Sequence, residues 1–278
     1  MSIDGYMKAM SSELEALRAD VAASGHRELL PLDLSYESLD RLEDFLYLVV
    51  DGKLKGDLAK LWSRAGRYVG STLAERVGGT WAASKSDKKA VVTKLPGAAK
   101  AELSVGPIVA DVMRLRHHFV GYLRDDTECY DLALRRRQLA ELLSDPPARF
   151  RAVREDVKAL TGTDPGELTG SLGSVDAIEQ ALKQAVNARA PRAQRRRLRA
   201  NTILYVGTIL ARARKATWSV NERIGDPTFG WFKVGTWAPA QTVRFVAPES
   251  QPGKLRKQLE YRLPGGGAEQ PDDDEDDE

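Results

Sequence analysis

YVGSTLAERVGGTWAAS, residues 68 to 84, and YVGTILARARKATWSVN, residues 205 to 221, stand 137 positions apart and align without a gap. Tyr68, Val69, Gly70, Leu73, Ala74, Thr80 and Trp81 meet identical residues at Tyr205, Val206, Gly207, Leu210, Ala211, Thr217 and Trp218. Agreement this dense across a helix-to-strand junction marks an internal repeat. In the first copy Leu61, Ala65, Tyr68, Val69, Leu73 and Val77 recur at helical spacing, and Gly78-Gly79 ends the helix, since glycine takes the left-handed conformation that caps helices. Trp81 then opens a strand, AVVTKL (Ala90 to Leu95) reads as its partner, and Pro96-Gly97 marks a turn.

Moving outward, Ser35 stands as an N-cap before Leu39, Leu42, Leu46 and Val49, which gives a helix with one apolar stripe. A further helix is expected from about Val105 to Leu123. The unit therefore reads helix, helix, strand, strand, helix. In the second copy Ser174 to Val186 resembles Ser35 to Leu46, GWFKVG (Gly230 to Gly235) resembles AVVTKL, and the Pro239 segment resembles the Pro107 segment. Thr242 to Ala247 reads equally as helix or strand. The fold class expected is α+β: two tandem copies of a small helix-helix-strand-strand-helix module joined by a helical connector. The boundaries are an N-terminal helix in 1–30, a first module in 31–126, the connector in 127–172, a second module in 173–264 and a disordered acidic tail in 265–278.

GRYVGSTLAERVGGTW, Gly66 to Trp81, resembles an uncharacterised bacterial domain family with a G-x-Y-x-G helix, a Gly-Gly exit and a Trp-led strand. The resemblance covers about a quarter of the chain. In the second copy Gly66 becomes Ile203 and Gly78-Gly79 becomes Lys215-Ala216. It implies the fold and a bacterial origin and brings no activity with it.

The formal charge is +2, but the seven residues Asp272 to Glu278 are all acidic, so the body carries a clear basic excess. A run of like charge that buries no apolar surface is expected to be disordered, serving solubility or loosely covering basic surface. No stretch approaches the roughly 18 apolar residues of a membrane helix, and the charged, helical start is unlike a signal peptide, so a cytoplasmic address is expected. One cysteine, Cys129, and three histidines, His26, His117 and His118, supply neither a disulfide nor a multi-cysteine metal site. Neither a metal nor a cofactor is expected.

Gly66, Gly70, Gly78 and Gly79 lie within and after a helix rather than between a strand and a helix, so close packing explains them better than a phosphate cradle. Trp81 and Trp218 are expected to bury beside Tyr68 and Tyr205, and Cys129 to be an idle thiol. The strongest charged feature is ARAPRAQRRRLRAN, Ala188 to Asn201. As a helix it places Arg192, Arg195, Arg196 and Arg199 along one face, with Arg189 just ahead, a spacing suited to phosphates or to acidic groups of a protein or of the chain's own tail. Those five arginines are the candidate binding residues.

The expected function is a non-enzymatic interaction protein, an immunity, adaptor or assembly component, presenting a duplicated scaffold to a protein partner. The alternative is nucleic-acid binding through 189–199. An enzyme with a site between the copies would need polar residues converging there.

Overall fold

The computed structural model describes residues 3–85, 89–96, 102–114, 122–187, 190–224, 226, 228–244, 246 and 250–265. His117, His118, Arg189 and the acidic run 272–278 lie outside them. The architecture is mainly helical with two small antiparallel sheets, in keeping with α+β. The described residues divide into two compact units. The first runs to Arg135 and takes in Glu222–Gly230; the second holds the remainder from Arg136. The division places the N-terminal helices in the first unit and splits the expected connector 127–172, most of which belongs to the second.

The first unit contains α1 (Ile3–Lys8), α2 (Met10–Ala23), α3 (Tyr36–Val50), α4 (Leu58–Val77), β1 (Thr80–Ala83), β2 (Ala90–Thr93), β3 (Glu102–Leu103), α5 (Val105–Arg114) and α6 (Tyr122–Glu128). Ser35 caps α3 by accepting the Ser38 N–H at 3.1 Å, and Gly78, at φ 77°, closes α4 in the left-handed conformation. The strands follow the order β1-β2-β3, with Trp81 opposite Val92. Leu17 and Val21 of α2, Leu39, Leu42 and Leu46 of α3, and Tyr68, Val69 and Leu73 of α4 form a fully buried core. Gly230 (φ 74°) also belongs to this unit. Its carbonyl accepts from Arg135 Nε at 2.9 Å, and a Cβ there would overlap the Cys129 carbonyl.

The α7 helix (Leu132–Leu142) spans the division. The second unit continues with α8 (Pro146–Thr161), α9 (Val175–Asn187), α10 (Arg192–Arg214), β4 (Trp218–Val220), β5 (Phe232–Val234), α11 (Pro239–Arg244) and α12 (Lys254–Arg262). The segment that reads as helix or strand, Thr242 to Ala247, is helical through Arg244. β4 and β5 pair antiparallel with Trp218 opposite Val234, and Val153, Val157, Val175, Ile178, Leu182, Leu204, Tyr205 and Leu210 are fully buried.

The same polar contacts occur in each unit. In the first, buried Glu43 of α3 accepts the Leu123 N–H at the start of α6 (3.0 Å), and Asp40 one turn earlier pairs with Arg124 (3.2 Å). In the second, Glu179 of α9 accepts the Leu255 N–H at the start of α12 (2.8 Å), and Asp176 pairs with Arg256 (2.9 and 2.5 Å). A carboxylate on another helix thus satisfies a helix's orphan amides. Asp40 and Asp176 stand 136 residues apart in the sequence, as do Glu43 and Glu179. Tyr68 accepts the Leu34 N–H at 2.8 Å, and Tyr205 donates to the Ser171 carbonyl at 2.8 Å.

Glycine and tryptophan recur too. A Cβ on Gly70 would overlap the Trp81 ring, and one on Gly207 would overlap Trp218. The expectation that each tryptophan buries beside its tyrosine is corrected here. Residues two apart on a helix point about 200° apart, so a ring seated on Gly70 faces away from Tyr68. Trp81 is half-buried against Tyr6 (centroids 5.3 Å), whereas Tyr205 meets Phe150 edge-on (5.2 Å).

Candidate interaction surface

The first two turns of α4 project an apolar surface. Leu58 is 45% exposed and Trp62 37% exposed, one turn apart on one side of the helix, and Leu58 lies one turn before buried Leu61. Another side of the same turns, with Asp57, Lys60, Leu61 and Arg64, lines a depression of about 500 Å³ at the α3–α4 connection. Phe45, Leu54, Leu61 and Ala23 give it apolar walls, and Lys55, Lys60 and Arg64 supply cations. Gly56 permits this tight connection, since a Cβ there would come within 2.8 Å of Leu61 and 3.1 Å of Val49.

The charges around the depression differ in how far they are committed. Asp57 is the α4 N-cap, accepting the Ala59 and Lys60 amides at 3.1 and 3.2 Å, and those amides hold its carboxyl below the usual range. Arg64 donates to Glu13 at 2.8 Å and pairs with Asp20, both on α2; the Arg64 hydrogen bond lowers the Glu13 pKa. Lys60 stands 3.6 Å from Asp57 with most of its side chain in solvent, and Lys55 has no ion-pair partner among the described residues. The arrangement can receive an apolar side chain and offer cations at its rim. It supplies no nucleophile poised beside a base.

The arginines expected to bind are placed differently from a phosphate-tracking row. Arg199 is 8% exposed, and Arg192, Arg195 and Arg196 are half-buried. Arg197, the most exposed of the described arginines of the run, reaches back to buried Asp156 of α8 at 3.1 and 2.5 Å, joined there by Gln194 at 3.2 Å. Helical amphipathy read from arginine alone misses this, because α10 packs on α8, α9 and α11 and its cationic turns are part of that packing.

Reading the 137-residue displacement backward from Tyr68 would have located the surface. It sets Lys55, Leu58, Lys60, Leu61 and Trp62 on Arg192, Arg195, Arg197, Leu198 and Arg199. The same two turns therefore carry exposed Leu and Trp in one unit and arginine in the other, while Leu61 and Leu198 stay buried.

Other candidates resolve as structure. Gly66 faces Val105, and Gly79 packs against Val92 and Leu95. Burial raises the Cys129 thiol pKa strongly, and its Sγ donates to the Asp126 carbonyl at 3.1 Å. His26 bonds Glu28 at 2.8 Å. Among the described residues no group of three or more His, Cys, Asp or Glu side chains is placed to hold a metal, and no helix is long and apolar enough to cross a membrane. Comparison of the chain with family models, curated proteins and solved structures gives no match.

Proposed function

We propose that the chain is a non-enzymatic interaction protein, an adaptor, immunity or assembly component, in which two diverged copies of one helical module form the scaffold and the first two turns of α4 receive a protein partner. The observation that carries the reading is the exposed Leu58–Trp62 pair on one side of the first two turns of α4. Tryptophan is among the side chains most enriched at the energetic centre of protein interfaces, and an exposed pair of large apolar side chains is a natural seat for one. The copies support it: Tyr68/Tyr205, Gly70/Gly207 and Trp81/Trp218 agree where the scaffold packs, whereas 58–62 and 195–199 diverge where a partner would discriminate. A nucleic-acid partner on 189–199 is the weaker reading, because Arg199 is buried and Arg197 is held by Asp156.

A photo-crosslinking residue in place of Trp62, with a control in place of exposed Arg151 on α8, tests the reading in cells that express the chain. The expected result is a discrete protein adduct from position 62 alone, and loss of that protein from the purified complex on Leu58→Asp. Identical adducts from both positions, or a partner retained by Leu58→Asp, would refute it.

A further inference from the structure

Arg192, Arg195, Arg196, Arg197 and Arg199 fall in the first two turns of α10, a helix that contains no acidic residue. Cations at this end of a helix meet the positive pole of its dipole, and like charges one turn apart repel, so negative charge is favoured there. Within the unit, Asp156 of α8 meets Arg197, whose side chain is still 55% exposed. Arg192, Arg195 and Arg196 are half-buried. The densest negative charge in the chain is Asp272 to Glu278, where every residue is a carboxylate.

The tether decides whether the two can meet. The tail leaves the second unit at the end of α12, where the Arg262 carbonyl accepts from Arg214 Nε at 2.6 Å, so its root lies beside the last turn of α10. From Arg214 back to Arg196 the helix rises about 27 Å. The chain from Arg262 to Asp272 extends to at most about 35 Å, and that from Arg262 to Glu278 to at most about 55 Å. A relaxed glycine-rich chain of those lengths averages roughly 16–24 Å end to end, so the arginines are reached without full extension. Tethering also holds the carboxylates at an effective concentration on the order of millimolar, above that of a second copy or an outside polyanion at micromolar levels.

From charge and reach together we infer that the chain's own acidic tail, Asp272 to Glu278, seats on Arg192, Arg195, Arg196 and the outer side of Arg197, and closes the first turns of α10 to polyanions. The contact is intramolecular and does not depend on the α4 surface.

A nitroxide attached at Glu275→Cys in the full chain tests it by amide NMR, the buried Cys129 thiol being out of the reagent's reach. At about 0.05 M salt the signals of residues 192–197 should broaden while those of 58–62 and Arg151 stay sharp, and at about 0.5 M, where the screening length shrinks to about 4 Å, they should recover. An isotope-labelled chain mixed with an unlabelled nitroxide-bearing chain should show no broadening. Broadening that spares 192–197 or ignores salt would overturn the seat, and broadening in the mixed sample would overturn its being intramolecular.

A second measurement reads the closure. A full-length variant with every acid of 272–278 changed to its amide (Asp272→Asn through Glu278→Gln) should bind a fluorescent oligodeoxythymidylate of about 20 nucleotides at least about tenfold more tightly than the native chain at low salt, and Arg195→Gln with Arg196→Gln should abolish that gain. Equal affinity of the native and neutral-tail chains, or a gain that survives loss of both arginines, would overturn the closure.

Discussion

Gly70→Ala tests the packing of the scaffold where two opposing effects predict opposite signs. In the interior of a helix such as α4, Gly→Ala ordinarily stabilises by about 0.5–1 kcal/mol, because glycine loses more backbone entropy on folding. At Gly70 the new Cβ would fall within the Trp81 indole. That ring is backed by Tyr6 at 5.3 Å, and its strand is fixed by pairing with Val92, so relief requires the indole to swing outward. Overpacking of this kind costs about 1–3 kcal/mol, and the half-buried position of Trp81 sets the lower part of that range. The net prediction is destabilisation by about 0.5–2 kcal/mol. With Trp81→Ala already in place the clash is gone, and the same substitution should stabilise by about 0.5–1 kcal/mol, a reversal of sign. Urea unfolding at constant temperature, followed by far-UV circular dichroism so that the tryptophan change does not alter the probe, measures all four corners of the cycle. Stabilisation by Gly70→Ala in the native background would refute the close-approach account. Gly207→Ala should behave alike against Trp218, except that Pro239, 3.0 Å from the new Cβ, leaves a residual penalty when Trp218 is removed.

Three further outcomes follow from the polar contacts. Glu179→Ala strips the acceptor from the Leu255 and Gly253 amides and the partner from Lys183 (2.9 Å), and should destabilise by about 2–4 kcal/mol in urea, with Glu179→Gln recovering roughly half; a change within about 0.5 kcal/mol would dismiss the cap. Asp164 accepts two hydrogen bonds from Arg154 (2.7 and 2.8 Å), which with the Gly166 amide lower its pKa from 3.8 to about 2. Its contribution to stability is thus present above about pH 4 and lost as pH falls through about 2; carbonyl NMR should find that midpoint, returned toward 3.8 by Arg154→Ala, and an unmoved titration would reject the pairing. Cys129, buried with its pKa raised, should resist dithionitrobenzoate in the folded chain and react along the same urea curve as the loss of helix, whereas rapid labelling under native conditions would contradict its placement.

The helix-to-strand junction of each unit was legible because identity there is dense and gapless, and Ser35 and Gly78 declare the ends of α3 and α4 through cap chemistry that requires those residue types. The contacts of Asp40 and Glu43 with α6, and of Asp176 and Glu179 with α12, were not legible, since they join residues about 80 positions apart in sequence. Leu17 and Val21 of α2, and Val153 and Val157 of α8, are fully buried, although both helices stood outside the expected modules, because a short apolar pattern does not say which core it joins. Glu222–Gly230 could not be assigned to the first unit from local pattern, because Gly230 meets Cys129 only through a contact about a hundred residues away in sequence. At the surface, arginine is densest on α10, where tertiary packing buries Arg199. Leu58 and Trp62 lie outside the stripe of Leu61, Ala65, Tyr68, Val69, Leu73 and Val77, and only their exposure marks them.

Docking on α4 is tested most directly by amide NMR of the isotope-labelled chain titrated with the protein that crosslinks from position 62. Shift changes are expected to concentrate in residues 57–64, with Tyr68 and Gly70 little moved and the spectrum of Trp62→Ala unresponsive at the same partner concentration. Changes centred instead on residues 192–199, or unaltered by Trp62→Ala, would contradict it.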